Sequence, residues 1–469
     1  MKKKKREIIL ENIKLISAGA KGVAVGKTEE GKTVLVSGAV PGDVVNARVK
    51  KSKSKYYEAE VLEILEESPF RVAPKCIHFG VCGGCKWQNL AYEKQLDFKH
   101  DEVYNNIKRI GGIEDFESHR ILGSSEQYFY RNKMEFSFSN ARWLTADEIS
   151  STKNFDDRNA LGFHIPGMWS KILDLKECWL QEDPSNAIRL EVKKYAVENN
   201  LEFYDVKNQE GFLRTLMMRQ NSKGEWMVLF QLFREEKENR EKLFNHILGK
   251  FPQIKTLVFA INSKGNDSVY DLDIQTYYGE GFLMEEMDGL KFKIGPKSFF
   301  QTNYKQALEL YRKTLEFADL NGDEVVYDLY TGTGTIAQYV ARNARQVIGI
   351  ESVQEAIDAA KEHAALNGLD NCTFYCGDMK DVFTDEFLAS HPKADVLITD
   401  PPRDGMHQKV VEQILKLSPQ RIVYVSCNSA TQARDLALMK DQYRLVKILP
   451  VDMFPQTHHV ENIALLEKI

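Results

Sequence analysis

The sequence predicts an α/β protein. A C-terminal doubly wound, Rossmann-like domain is preceded by a small N-terminal β-barrel and a central α+β region. Three observations predict this. From about residue 291, apolar strand-like runs alternate with helical ones. Residues 8–65 hold four or five short alternating strands between turn signals. The intervening stretch mixes both periods, and 469 residues are enough for several domains.

The N-terminal strands are read in "GVAVGK", "KTVLVSG", "DVVNARVK" and "EAEVLEILE", with "TEEGK" and "VPGD" turning between them. Short strands studded with Lys fit a barrel of oligonucleotide-binding type over residues 1–66. Residues 1–60 carry fourteen Lys/Arg against seven Asp/Glu, while the whole chain sums to −5. A basic module on an acidic body points to nucleic acid, whose condensed counterions basic side chains displace. The plainer reading of "MKKKKR" is a solvated tail. No signal-type apolar core and no apolar run of 18 residues occurs, which predicts a cytoplasmic chain without a membrane span and with reduced thiols.

The central region is expected over 67–290. It opens with "KCIHFGVCGGCKWQNL", which puts Cys76, Cys82 and Cys85 within ten residues of a chain holding seven cysteines. Helical spacing comes next, over 90–112, and ends at Gly111–Gly112; this helix is expected to pack on the C-terminal domain. Further on, "FYRNKMEFSFS", "FLRTLMMRQ" and "EWMVLFQLF" read as strands and "REEKENREKLFNHILGKF" as a helix.

The C-terminal domain is expected over 291–469. "EVVYDLY", "QVIGIES", "CTFYCGD", "ADVLITDPP" and "RIVYVSC" are strands with helices between, and "LVKILPVDMF" and "NIALLEKI" finish the sheet antiparallel. "DLYTGTGT" is a glycine turn from strand to helix, where a ligand can approach the backbone at the carboxyl end of the sheet. It lacks the third glycine of the dinucleotide fingerprint. Glu351, Asp378 and Asp400 end consecutive strands. Any one alone reads as a cap or turn residue. Together they suit an adenosine-bearing cation, such as the sulfonium of S-adenosylmethionine.

"YVSCN" ends another strand with Cys427 on the same rim. A strand cysteine is usually core packing, but this run turns polar immediately after it. Beside a methyl donor, a thiol could add to C6 of uracil and make C5 nucleophilic, after which a base must remove the C5 proton. Glu461, directly ahead of "NIALL", is the candidate base, with a solvated strand-start glutamate as the plainer alternative.

These residues resemble the uracil-C5 RNA methyltransferases. "FFQTN", "DLYTGTGT", "DPPR", "VSCN" and "THHVE" match that family's motifs in order across roughly 291–469. The resemblance implies Cys427 as nucleophile and Glu461 as base. It implies Gln301, Tyr330, Glu351 and Asp400, with Asp378 beside them, as contacts to S-adenosylmethionine. Many relatives carry Asn where this chain has Thr335. The barrel resembles a TRAM domain. "YRNK" and "LRTLMMR" resemble the family's central RNA-contacting segments, implying Arg131, Lys133, Arg214 and Arg219 at phosphates, though strand Arg and Lys are more often plain surface.

With Cys427 taken as nucleophile, Cys178 in polar-flanked "DLKECWLQ" is the fourth partner for Cys76, Cys82 and Cys85; Cys372 and Cys376 lie in or beside a sheet strand. Spacing alone admits zinc, with His78 nearby, or an iron–sulfur cluster. The family's ribosomal branch carries a 4Fe–4S cluster there, and the resemblance implies the same here in a structural role. It further implies 5-methyluridine formation in 23S ribosomal RNA, with no obligate protein partner. The alternatives are a transfer-RNA methyltransferase, a non-catalytic RNA-binding or assembly protein, and an iron–sulfur redox enzyme.

Overall fold

The computed structural model describes residues 7–151 and 157–469, without the side chains of Ala146 and Asp147; the basic run at 1–6 lies outside them. Five strands, Ile9–Ala18, Ala24–Lys27, Thr33–Ser37, Val44–Ser52 and Tyr56–Glu66, close into a barrel. Alternate residues fill it: Ile13 and Leu15, Val34 and Val36, Val45 and Ala47, as the two-residue period of a strand requires. Buried Asp43 ties the barrel to the segment that leaves it. It accepts the Ser68 N–H (2.9 Å) and both arms of Arg71 (2.8 and 2.7 Å).

The central sheet has seven strands, in the order 275–278, 254–261, 226–232, 213–220, 133–139, 160–165, 168–174. Its core takes Ile188 and Val192 from helix Ser185–Glu198 and Leu243, Phe244 and Ile247 from helix Lys237–Lys250. The cysteine loop, 76–85, forms neither helix nor strand.

The C-terminal sheet runs 372–376, 346–351, 325–329, 396–399, 421–426, 461–468, 443–451, 117–118. The first five strands are parallel, and 461–468 is antiparallel to both of its neighbours. One face packs helices Tyr304–Ala318, Thr335–Ala341 and Gln354–Leu366; the other packs Gln408–Leu417, Ser429–Met439 and Tyr92–Arg109. Leu96, Val103 and Ile107 of that last helix sit in the sheet's core. The hairpin Leu283–Met287 and Leu290–Ile294 gives Met287, Phe292 and Ile294 to the core on the sheet's opposite face, so that core takes in residues ahead of 291. Strand order reverses between 325–329 and 396–399, and ligands of such sheets sit beyond the carboxyl ends at that point.

Candidate active site

Strand register brings two of the sequence-marked side chains together. Val425 pairs with Ile463 and Ser426 with Asn462; one step further, the same antiparallel register sets Cys427 beside Glu461. The parallel neighbour pairs Thr399 with Tyr424, so Asp400 follows just short of them, close enough for its charge to raise both Cys427 and Glu461. Cys427 is partly buried and Glu461 buried. Helix Ser429–Met439 locks both strands from below. Gln432 donates to the Tyr424 carbonyl (2.8 Å) and accepts from Asn462 (2.8 Å). Asn428 and Thr431 hold the Arg403 carbonyl at 2.9 and 3.1 Å.

The electrostatics derive from burial. Desolvation pushes the Cys427 thiol up to about 11; Glu461 and Asp400 add to this, and the hydrogen-bonded Arg403 guanidinium opposes it. Glu461 lies well above the usual carboxylate range through burial and then Asp400, with Arg403 again opposing. Asp400 is raised by burial and by Asp328. A carboxylate held near neutrality can take a proton in one step and release it in the next. Sequence reasoning missed Arg403, whose signal is a cation closing "DPPR" at a strand end.

The adjoining turn provides the nucleoside end of the site. Tyr330, Gly332 and Gly334 all have positive φ, and a Cβ on Gly334 would meet Ala360 at 3.0 Å and Phe374 at 3.2 Å. Glu351 caps this turn. One of its oxygens accepts the Gly332 N–H at 3.1 Å; the other accepts from Ser352 and Val353. Asp328, which sequence reasoning also missed, is buried in an apolar strand, accepts from Thr331 (2.5 Å) and is raised to about 7 by desolvation. Asp378 is exposed, caps helix Met379–Val382 and pairs with Lys380 at 2.8 Å, so both its oxygens are engaged. Gln301 and Thr302 are bound through their carbonyls to Asn132 at 2.9 and 2.7 Å, which joins this rim to "YRNK".

The segment leading to Glu461 is clamped from three directions. Fully buried Lys99 bonds Asp452 at 2.5 Å and the Phe454 carbonyl at 3.1 Å, and Tyr92 donates to the other Asp452 oxygen at 2.7 Å. Gln95 exchanges two 3.0 Å bonds with Gln456. The N–H groups of Lys86 and Trp87, next to Cys85, donate to the Gln456 carbonyl at 2.8 and 3.1 Å. Tyr130 of the central region holds the Pro455 carbonyl at 2.9 Å.

Cys76, Cys82, Cys85 and Cys178 line one pocket with His78, Glu177 and apolar Phe163, Leu175 and Leu180; all four are free thiols. Cys372 and Cys376 sit at the two ends of a strand in the other sheet. Burial pushes Cys85 up to about 12 and Cys178 to about 11, and neighbouring thiols add to both shifts. Such a set ionises readily only against bound cationic metal, so its chemistry fits a thiolate-ligated group. Among the described residues no three His, Cys, Asp or Glu side chains form a group able to hold one metal ion.

Two expectations about RNA contacts are corrected. Arg214 is 2% exposed and is consumed by the carbonyls of Asn262, Lys264 and Asn266 and by Asp267. Arg219 is 3% exposed and donates to the Ser298 carbonyl. Both side chains are buried away from the surface: the Arg214 guanidinium is spent on its loop, and Arg219 reaches only the Ser298 carbonyl, its Nε buried without a partner. Arg131 and Lys133 instead line an open groove with Lys86 and Thr302.

Residues 253–469 match the family model for tRNA (uracil-5-)-methyltransferases and residues 11–62 that for TRAM domains. The chain is 52% identical to an uncharacterized RNA methyltransferase of Bacteroides thetaiotaomicron, over 96% of this chain and 99% of that one. It is 49% identical to another from Porphyromonas gingivalis, over 97% and 99%. Among solved structures it resembles the Pyrococcus abyssi tRNA (uracil-54, C5)-methyltransferase in complex with S-adenosyl-L-homocysteine. That likeness has 29% identity and a TM-score of 0.74, and covers 96% of this chain and 99% of that one.

Proposed function

This chain belongs to the RNA uracil-C5 methyltransferase family, and we propose that it forms 5-methyluridine in 23S ribosomal RNA through a covalent adduct on Cys427. Its activity is S-adenosylmethionine-dependent methylation of uracil C5 in RNA. The observation that carries the mechanism is the pairing of Cys427 with Glu461 across one strand register, beside Arg403 and Asp400.

The Cys427 thiol loses its proton to solvent, and the thiolate sulfur adds to uracil C6, which places the electron pair on C5. Arg403 favours the thiolate. The C5 electron pair then attacks the methyl carbon of S-adenosylmethionine, which Gln301, Tyr330, Glu351 and Asp400 would hold; the C5–methyl bond forms as the sulfonium–methyl bond breaks, and S-adenosylhomocysteine leaves. Glu461 then takes the C5 proton, and the electrons left behind expel Cys427 from C6, restoring the ring and the thiolate. A base stacked in folded RNA is out of a thiol's reach, so the target uridine is flipped into the rim. Arg131 and Lys133 receive the flanking phosphates, and the barrel adds affinity.

The four-cysteine pocket is proposed to hold a 4Fe–4S cluster in a structural role. Cys76, Cys82, Cys85 and Cys178, which line one pocket, are the residues that would ligate it, and the cluster would tie the loop to the central sheet. No helix among the described residues is long and apolar enough to cross a membrane.

Transfer RNA is the second reading, and one observation favours it. The Pyrococcus likeness covers 96% of this chain, so a transfer-RNA enzyme matches nearly all of it, and the architecture alone does not favour ribosomal substrate. Mass mapping of 5-methyluridine in 23S ribosomal and transfer RNA, with and without the gene, tests the proposal. Loss of the mark from 23S RNA alone supports it; loss from transfer RNA alone replaces it with the second reading.

A further inference from the structure

Beyond the rim, the central sheet carries a groove whose lining the reaction does not account for. Its volume is about 1050 Å³, at the top of the range for small-ligand sites. Its lining includes Thr302, next to Gln301 of the rim, and the hairpin turn Pro166–Gly167 with Met168 and Trp169. Trp169 is 65% exposed and Met168 45%. Trp169 is the second residue of the outermost strand of its sheet.

A lone exposed apolar residue needs no explanation. This one stands in a particular company. Lys86, Arg131 and Lys133 line the same groove, and none has an acidic side chain within ion-pair distance among the described residues. The single carboxylate in the lining, Glu135, is pushed upward by desolvation, with Lys133 opposing. The groove's lining is therefore net positive and includes an exposed aromatic ring. Unpaired cations that track a backbone, with an exposed ring beside them, make up the recognition pattern for single-stranded nucleic acid, because every base has a face to stack. The turn is also fixed in place, since Pro166 packs so closely on Gly83 that a Cβ there would meet it at 2.7 Å.

We propose that Trp169 is a stacking platform for an unpaired base flanking the target uridine, beside a phosphate track formed by Lys86, Arg131 and Lys133. The inference rests on the RNA methyltransferase reading and adds to it a residue that sets affinity for single-stranded flanks. A strand running from the rim to Trp169 leaves its duplex along the way, so the platform favours loops over paired stems.

The test uses the full-length protein and a fluorescein-labelled single-stranded RNA of about 12 nucleotides with one central uridine, in an anisotropy titration. Trp169→Ala should weaken binding by about 5- to 150-fold, the usual worth of one stacked base. The salt slope and kcat at saturating RNA should stay unchanged. Trp169→Phe should restore most of the affinity, and both variants should melt with the wild type. A perfectly paired duplex of the same sequence should bind Trp169→Ala and wild type alike. Equal single-strand affinity in Trp169→Ala and wild type would overturn the platform while leaving methylation intact. So would a wild-type dimer in sedimentation that Trp169→Ala dissolves without loss of RNA affinity, which would make the patch a contact between copies. A wild-type protein that neither binds nor methylates RNA would remove the functional reading and the platform with it.

Discussion

The strand-end rim and the cysteine pocket both gather buried acids that repel one another, yet they are held by different means. In the rim, backbone pairing decides the geometry: the Val425–Ile463 register places Cys427 beside Glu461 before any ligand arrives. In the pocket, three thiols come from a loop without regular structure and the fourth from a residue 93 positions later in sequence. The rim is preorganised by hydrogen bonds and spends its burial on tuning proton affinity. In the pocket the same burial raises the thiols, with neighbouring thiols adding to it. One link joins them: the N–H groups of the two residues after Cys85 hold the Gln456 carbonyl, five residues ahead of Glu461.

The rim should give the biggest change. Cys427→Ala should lower turnover by at least about 10⁴-fold while leaving affinity for RNA and S-adenosylmethionine intact, since a lost nucleophile is not replaced by the rest of the site. Single-turnover methyl transfer measures this. Turnover at a tenth of wild type would mean that another thiol is the nucleophile.

The pocket should respond to a ligand rather than to chemistry. Anaerobically purified protein should contain iron and sulfide. Cys178→Ser should lose both and melt at lower temperature, whereas Cys372→Ser should keep them. If the Gln456 link matters, Cys178→Ser should also turn over more slowly, by about 10-fold, through a looser base segment. Stoichiometric zinc without sulfide would contradict the cluster.

Fully buried Lys99 and Asp452 extend the contrast to a pair of opposite charges. Lys99→Met strands a buried carboxylate, and breaking such a pair from one side costs about 3–5 kcal/mol. Chemical denaturation reads this directly, and a change under about 1 kcal/mol would mean that Asp452 simply takes up a proton.

The raised acids give two pH effects of opposite sign. The chemistry needs Cys427 as thiolate and Glu461 as carboxylate, and burial raises both. The rate should therefore climb with pH through neutrality into the alkaline range, where an unperturbed carboxylate would give a base already ionised by about pH 6. Stability runs the other way. Asp328, at about 7 folded against 3.8 as its ordinary value, keeps its proton in the folded state while the unfolded chain has lost it. Stability thus falls as pH rises from about 4 to 7, and Asp328→Asn should flatten that slope in melting curves.

The barrel should matter least. Exchanging exposed Lys14 and Lys27 for Gln should lower the salt slope of RNA binding by up to about one unit each and leave kcat unchanged.

The rim was legible in sequence because an α/β sheet puts its functional residues at strand ends, and those ends are marked by glycine turns and by the polar residues that stop an apolar run. What joins Cys427 to Glu461 was not legible, since strand order is a long-range property. Asp328 escaped notice inside "VVYDL", where a buried acid looks like one polar residue in a strand. Arg214 and Arg219 were misread for the opposite reason. The resemblance of "LRTLMMR" to an RNA-contacting segment suggested exposed cations, but the loop carbonyls that bury Arg214 lie some fifty residues away. The two-residue strand Glu117–Ser118 is too short to carry any period.

The mechanism stands on an order of events: Cys427 adds to uracil first and Glu461 acts last. Glu461→Gln should add to the base and accept the methyl, yet fail to remove the C5 proton. On incubation with S-adenosylmethionine and substrate RNA it should accumulate a protein–RNA species that survives denaturing electrophoresis. Mass mapping should find that adduct on Cys427 with the transferred methyl group on the uracil. Wild-type turnover in Glu461→Gln, or an adduct on Cys372 or Cys376, would contradict the assignment.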